Sequence, residues 1–66
     1  MNDNTLSPGE EQVLRYAARG YSLKYIAYLR GSKFNTVRVQ MANARKKLGV
    51  ETRGEAIAIA RKRWPL

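Results

Sequence analysis

Cysteine and histidine are both absent from the 66 residues of this chain. Without cysteine there is neither a disulfide nor a thiolate metal site, and without histidine the commonest general acid–base group is missing. The sequence has no run of about 20 apolar residues, which a membrane-spanning helix needs. The opening MNDNTLSPGE lacks the basic and apolar segments of a signal peptide. We therefore expect a cytoplasmic protein that holds no metal.

Acidic residues are also scarce. Five Asp and Glu stand against 13 Lys and Arg, a net charge of +8, and none of the five lies between Gln12 and Val50. Such a surface attracts a polyanion and releases counterions on binding, so affinity should fall steeply with salt. An acidic protein or an anionic membrane would be attracted too, and charge alone leaves this choice open.

The few carboxylates predict no catalytic site. Glu10 and Glu55 stand at helix-capping positions, and no general acid–base pair or nucleophile site can be assembled from the remainder. The sequence also lacks a glycine-rich loop of the kind that cradles phosphates. We expect neither an enzyme nor a cofactor.

Capping signals predict four helices. Ser7 with Glu10, and Thr52 with Glu55, form capping boxes, and Ser22 is a further N-cap. The predicted helices span roughly residues 8–19, 23–30, 36–48 and 53–63 or 53–64. Glycines at 20, 31 and 49 end the first three. The third helix begins after an N-cap at either Ser32 or Asn35.

The chain divides into a tail and one domain. Residues 1–5 are polar and without periodicity, so we expect them to be disordered. Residues 6–66 form one all-α domain of four helices. The residues expected to face its core are Val13, Leu14, Ala17, Ala18, Ile26, Ala27, Leu29, Val37, Met41, Ala44, Leu48, Ala56, Ile59 and Ala60.

The second and third helices meet at a Gly31 turn, which indicates a helix-turn-helix. On a helical wheel the third helix has one apolar side that begins with Val37. Its opposite or adjoining side carries Asn35, Arg38, Val39, Ala42 and Lys46. One side suits the core and the other is free to enter a groove of duplex DNA.

Five fragments carry a family resemblance: LSPGEEQVLRYAARGYS, KYIA, TVRV, NARKKLGV and TRGEAIAIA. In this order and spacing they resemble the DNA-binding domain of LuxR-type, or GerE-type, transcription regulators. The run GSKFNTVRV is similar to the TraR-like quorum-sensing branch. Arg30, Ser32 and Lys33 depart from the general family, which usually has a Leu, an apolar residue and a Ser or Thr cap there. The resemblance implies a four-helix, DNA-binding domain.

The resemblance also implies the residues that read bases. In TraR-like proteins the arginine matching Arg38 reads bases, and so does a second arginine at the position of Ala42, which this chain lacks. Ala42 and the neighbouring Val39 suit contact with thymine methyl groups. An ordinary exposed valine is the alternative interpretation of Val39.

Cations and polar residues around the third helix are candidates for phosphate contacts, which position a protein without specifying sequence. The candidates are Lys24, Lys33, Asn35, Thr36, Arg45 and Lys46. The alternative for any single lysine of this group is a solvated side chain that contributes nothing to binding, and we expect Lys47, Arg15 and Arg19 to be solvated.

In LuxR-type domains the fourth helix forms the dimer contact. Here Ile57, Arg61 and Trp64 lie on a face that a small monomer would not easily cover, so we expect them at a dimer interface. The alternative is that Trp64 folds back over its own core. A weak homodimer, or a heterodimer with a related regulator, would place two third helices about one DNA turn apart.

Other functions stay open at this stage. One is a sigma-factor region-four module, which would contact promoter DNA and RNA polymerase but would not need the last helix. Another is an antagonist that forms mixed dimers with a full-length regulator. A membrane-surface segment at residues 57–64 is weak, because packing explains that helix. LuxR-type regulators normally carry a sensing domain, and none is present here, so we expect a free-standing regulator or an excised domain.

Overall fold

A computed structural model describes residues 5–65, and these contain four α-helices and no strand. Helix α1 spans Pro8–Ala18, α2 Leu23–Arg30, α3 Phe34–Leu48 and α4 Arg53–Arg63. The prediction of an all-α, four-helix domain is confirmed. The expected disorder of the tail falls on residues 1–4, outside the described range, apart from Thr5, which is exposed and not helical.

The predicted capping boxes open α1 and α4. The backbone N–H of Glu10 donates to Ser7 Oγ over 3.2 Å, and its carboxylate accepts from the Ser7 N–H over 3.0 Å. Thr52 and Glu55 repeat the arrangement at α4 with distances of 3.1 and 3.0 Å. Each box satisfies two backbone donors that the first turn of a helix leaves free.

The start of α3 differs from both expected caps. Lys33 is the N-cap, and its side chain makes no capping hydrogen bond. Ser32 belongs instead to the end of α2, since its N–H donates to the Ala27 carbonyl over 2.9 Å and closes α2 around the left-handed Gly31. Asn35 lies inside the first turn of α3, where its side chain bonds Arg38 instead.

The core lies where α1 meets the other three helices. Its largest fully buried side chains are Leu14, Ile26, Val13 and Val37. Several small side chains are also buried, among them Ala17, Ala27, Ala44, Ala56 and Ala60. Small side chains at such positions allow neighbouring helices to pack closely.

Two expected core residues are placed differently. Leu29 is 41% exposed, because α2 turns Ile26 and Ala27 inward and Leu29 lies about 110° around the helix from the direction midway between them. Ile59 is half-buried outside the core cluster, and Ile57 packs against the cluster in its place.

Polar contacts tie the helices together. Arg61 Nε donates to the Ala18 carbonyl at the end of α1 over 3.0 Å. Lys47, which we expected to be solvated, forms a 2.8 Å ion pair with Glu10, whose residue is only 6% exposed. This prediction is wrong because α1 and α3 cross where the start of one meets the end of the other, a relation that the local sequence does not reveal.

The ion pair affects the titration of Glu10. Burial would raise the pKa of its carboxyl, but hydrogen bonds from Lys47 and Ser7 outweigh burial and lower the pKa below the ordinary value. The carboxylate is therefore charged at neutral pH. It also lies in the first turn of α1, where the helix dipole favours a negative charge.

Arg15 is exposed, as expected, but its side chain also contacts two neighbours. Its Nε lies 2.9 Å from Glu11 Oε2, and its guanidinium stacks 4.6 Å from the centre of the Trp64 ring. Arg19 is exposed, as expected. None of the helices within residues 5–65 has the length and apolar character needed to cross a membrane.

Candidate nucleic-acid interface

The outward side of α3 is the candidate interface, and the helical wheel predicted its composition. Val37, Met41 and Ala44 are buried, and Leu48 is half-buried against the core. On the opposite or adjoining side the predicted residues Asn35, Arg38, Val39 and Lys46 are exposed, and Ala42 is half-buried; the phosphate candidate Thr36 is exposed too. Val39 is 41% exposed, a cost for an apolar side chain in water unless a partner covers it.

Arg38 is held by a neighbour on the same side of α3. Its Nε and Nη2 both donate to Asn35 Oδ1, over 3.2 and 2.6 Å. Residues three apart on a helix are neighbours, so the bond is local to one turn. The guanidinium therefore lies along the outward side of the helix rather than folding toward another element.

The remaining phosphate candidates lie at the start of α2 and along α3. Lys24 at the start of α2, Lys33 at the N-cap of α3 and Lys46 in its last turn are exposed. Arg45 is half-buried, and its Nη1 donates to the Glu51 carbonyl over 2.6 Å. One guanidinium nitrogen of Arg45 is thus engaged by its own chain, and its other nitrogens retain donors.

No carboxylate neutralises these cations within residues 13–49. The described acidic residues are Glu10 and Glu11 in α1 and Glu51 and Glu55 at the start of α4. Hydrogen bonds from the side chain and backbone of Thr52 lower the pKa of Glu55 below its ordinary value. Glu10 and Glu55 are thus used in capping boxes and Glu11 pairs with Arg15, and within the described residues no ion pair neutralises the cations on the outward side of α3.

A polar network that sequence reasoning missed fixes α3 against its neighbours. Arg30, the last residue of α2, donates from Nη1 to Gln40 Oε1 on α3 over 2.6 Å and from Nε to Gln12 Oε1 on α1 over 3.2 Å. A Cβ at Gly9 would clash with the Gln40 amide, so α1 lies close to α3 there. The signal for this network in the sequence was Arg30 itself, which stands where the family usually has a leucine.

Aromatic rings form a second feature that was missed. Tyr16, Tyr21, Tyr25 and Tyr28 make successive ring contacts with centroids 5.9, 5.1 and 6.2 Å apart. The series runs from α1 onto the outward side of α2, where Tyr28 is 78% exposed. The three- and four-residue spacing of the last three tyrosines was the signal in the sequence.

The residues expected at a dimer interface contact their own chain. Ile57 and Trp64 pack half-buried against the core. Arg61 is exposed but bonds the end of α1 through Ala18. Their role in dimerisation stays a prediction. Ile59, about 200° around α4 from Ile57, is half-buried as well.

A short helix, a left-handed glycine turn and a longer helix with a basic outward side define a helix-turn-helix domain. Residues 4–60 match the sequence model of the family described as bacterial regulatory proteins, luxR family. The chain belongs to this family, as the resemblance indicated, and is a DNA-binding domain of a transcription regulator. The match includes most of α4, which a sigma-factor region-four module would not need.

Two curated relatives are similar to this chain. The transcriptional activator protein BglJ of Escherichia coli (strain K12) is 42% identical over 48 residues, which are 73% of this chain and 21% of that protein. The transcriptional activator protein TraR of Rhizobium radiobacter is 36% identical over 58 residues, 88% of this chain and 25% of that protein. The chain thus spans a quarter or less of these relatives. No solved structure matches it.

Proposed function

We propose that this chain binds duplex DNA sequence-specifically by placing α3 in the major groove. The observation that carries the proposal is the outward side of α3, where exposed Arg38, Val39 and Lys46 lie together with no carboxylate between them. The major groove is wide enough for an α-helix, and its base edges present the acceptors and methyl groups that these side chains suit. The chain would act as a free-standing cytoplasmic regulator or as part of a longer one.

Each residue of the interface has a proposed task. Arg38 donates to O6 and N7 of a guanine, and Val39 and Ala42 contact thymine methyl groups. Lys24, Lys33, Thr36, Arg45 and Lys46 contact phosphates. Four of these residues are cations, and four cationic contacts predict a slope of about −3.6 in a plot of log affinity against log salt concentration.

We propose further that two chains bind a pseudo-palindromic site through α4, as a weak homodimer or as a heterodimer with a related regulator. Arg38 is the one arginine on the outward side of α3 that we propose to read bases, because Ala42 stands where TraR-like proteins have a second base-reading arginine. One chain would therefore discriminate weakly, and pairing two half-sites would compensate. Quorum-sensing control and contact with RNA polymerase also belong to this proposal.

An antagonist that binds a full-length regulator is the second candidate function. The observation that favours it is Ala42, because a mixed dimer with one weakly reading chain would occupy sites poorly. Both candidates keep the same fold and differ in whether the chain alone prefers a sequence.

Selection of bound duplexes from a random pool tests the proposal most completely. We expect an enriched site with a guanine in each of two inverted half-sites. Arg38→Ala should lower affinity for the enriched site by about 5- to 150-fold more than for a scrambled duplex. Lys46→Ala, the matched control, should weaken both duplexes alike and reduce the salt slope by about 1.

Three results would each overturn a part of the proposal. Equal loss for both duplexes in Arg38→Ala would mean that this residue does not read bases. A wild-type chain that enriches no sequence, and whose weak binding to duplex does not vary with salt, would instead favour the antagonist. Binding of one chain with equal affinity to a single half-site and to the inverted pair would remove the dimer.

A further inference from the structure

Asn35 and Arg38 form a hydrogen-bonded pair on the outward side of α3. Both Nε and Nη2 of Arg38 donate to the single oxygen Oδ1 of Asn35, at 3.2 and 2.6 Å. Both residues are exposed, so neither the core nor another helix forces the contact. An exposed arginine otherwise samples many rotamers, and losing that freedom on binding lowers affinity.

The pair leaves a particular part of the guanidinium free. Arginine has five N–H donors in a planar fork, one on Nε and two on each terminal nitrogen. The bond to Asn35 uses Nε and one hydrogen of Nη2, which form one edge of the fork. The terminal edge, one hydrogen on Nη1 and the second on Nη2, stays available. Two parallel donors of this kind match O6 and N7 of guanine.

We propose that Asn35 is a positioning residue that fixes the Arg38 guanidinium so that its terminal edge meets a guanine in the major groove. The inference rests on the proposed function and gives Asn35 a task other than phosphate contact. Its importance follows from Ala42, because the arginine that Asn35 holds has no second arginine beside it on the reading side. Asn35 thereby contributes to selectivity without touching a base.

Positioning and phosphate contact have different consequences. A residue that binds phosphate stabilises complexes with all sequences and contributes to the salt slope. A residue that orients the reading arginine stabilises only complexes in which the guanine is present. Thr36 is the matched control, since it is exposed in the same turn of α3 and makes no side-chain hydrogen bond to Arg38 within the described residues.

The experiment compares two duplexes that differ at one atom. The first is the site selected by the wild-type chain, and in the second the contacted guanine is replaced by 7-deazaguanine, which lacks the N7 acceptor. We expect Asn35→Ala to lower the preference for guanine by about 2- to 10-fold with an unchanged salt slope. Thr36→Ala should weaken both duplexes equally.

A conservative variant and a measurement without DNA complete the test. Asn35→Asp keeps an oxygen acceptor, so it should retain the guanine preference even though its added charge lowers affinity for both duplexes. In the free chain, ¹⁵N relaxation of Arg38 Nε should show faster motion in Asn35→Ala than in the wild type or in Thr36→Ala. Thermal melting confirms that each variant is folded.

The outcomes separate this inference from the proposed function. An Asn35→Ala variant that binds both duplexes more weakly by the same factor, with a smaller salt slope, would make Asn35 a phosphate contact and overturn the inference. An unchanged preference, or an unchanged mobility of Arg38 Nε, would overturn it as well. A wild-type chain without a preferred guanine would remove the proposed function and this inference together.

Discussion

Two adjacent lysines near the end of α3 should have opposite roles. Lys47 Nζ lies 2.8 Å from Glu10 Oε1 and joins the end of α3 to the start of α1. Lys46 is exposed on the outward side, where we propose that it contacts a phosphate. Lys47→Ala should therefore destabilise the fold and largely spare DNA binding, whereas Lys46→Ala should weaken DNA binding and leave stability unchanged.

The size of the effect follows from the surroundings of Glu10. Removing one partner of a fully buried ion pair costs about 3–5 kcal/mol, because a buried charge is left alone. Here the Lys47 side chain is 31% exposed and that of Glu10 is 8% exposed, so water already screens the pair partly. The Glu10 carboxylate also keeps the N–H of Ser7 at 3.0 Å. We therefore expect a loss of about 1–2 kcal/mol in the free energy of unfolding.

Thermal melting and urea unfolding measure this directly. A domain of this size has a total stability of about 3–10 kcal/mol, so the loss should lower Tm by about 4–16 °C. Lys46→Ala has the same change in charge and composition and should melt within about 0.5 kcal/mol of the wild type. Equal melting temperatures for the two variants would refute the assigned role of the ion pair.

Three further predictions follow from the same contacts. The pKa of Glu10 is lower in the folded chain than its ordinary value of 4.5. The charged carboxylate therefore contributes its full stability above pH 4.5, and this contribution is lost as the pH falls through the lowered pKa. Urea unfolding at pH 3–7 should show the loss. Arg61→Ala should lower the free energy of unfolding by about 1 kcal/mol, because it removes the hydrogen bond to the Ala18 carbonyl. Lys62→Ala, at an exposed neighbour, is the control, and equal urea midpoints for the two variants would argue against that bond. Gly31→Ala should cost about 1 kcal/mol because φ is +64° there, and an unchanged Tm would count against this.

Local signals predicted the helices well. Capping boxes and left-handed glycines act over three or four residues, so the bounds of α1, α2 and α4 follow from the sequence to within a residue. The N-cap of α3 was missed because Ser32 is used to close α2. Leu29 and Ile59 were misplaced because a helical wheel gives angles around one helix and not the directions of its neighbours.

The candidate site was partly predictable for the same reason. The outward side of α3 follows from the 3.6-residue period, and the bond between Asn35 and Arg38 lies within a spacing that brings side chains together. The contacts of Arg30 with Gln12 and Gln40 join three helices, and that of Lys47 joins two. Such contacts depend on how helices cross, which no single segment encodes.

An NMR titration tests the central claim that the outward side of α3 binds duplex DNA. Amide signals of the ¹⁵N-labelled chain are followed at low ionic strength as duplex DNA carrying the selected site is added. The account predicts that the largest shifts cluster at residues 35–46 of α3 and at Lys24 and Lys33, and that Tyr28 and Lys62 move little. Shifts concentrated on α4 or on the tyrosines of α2, with α3 unmoved, would contradict it.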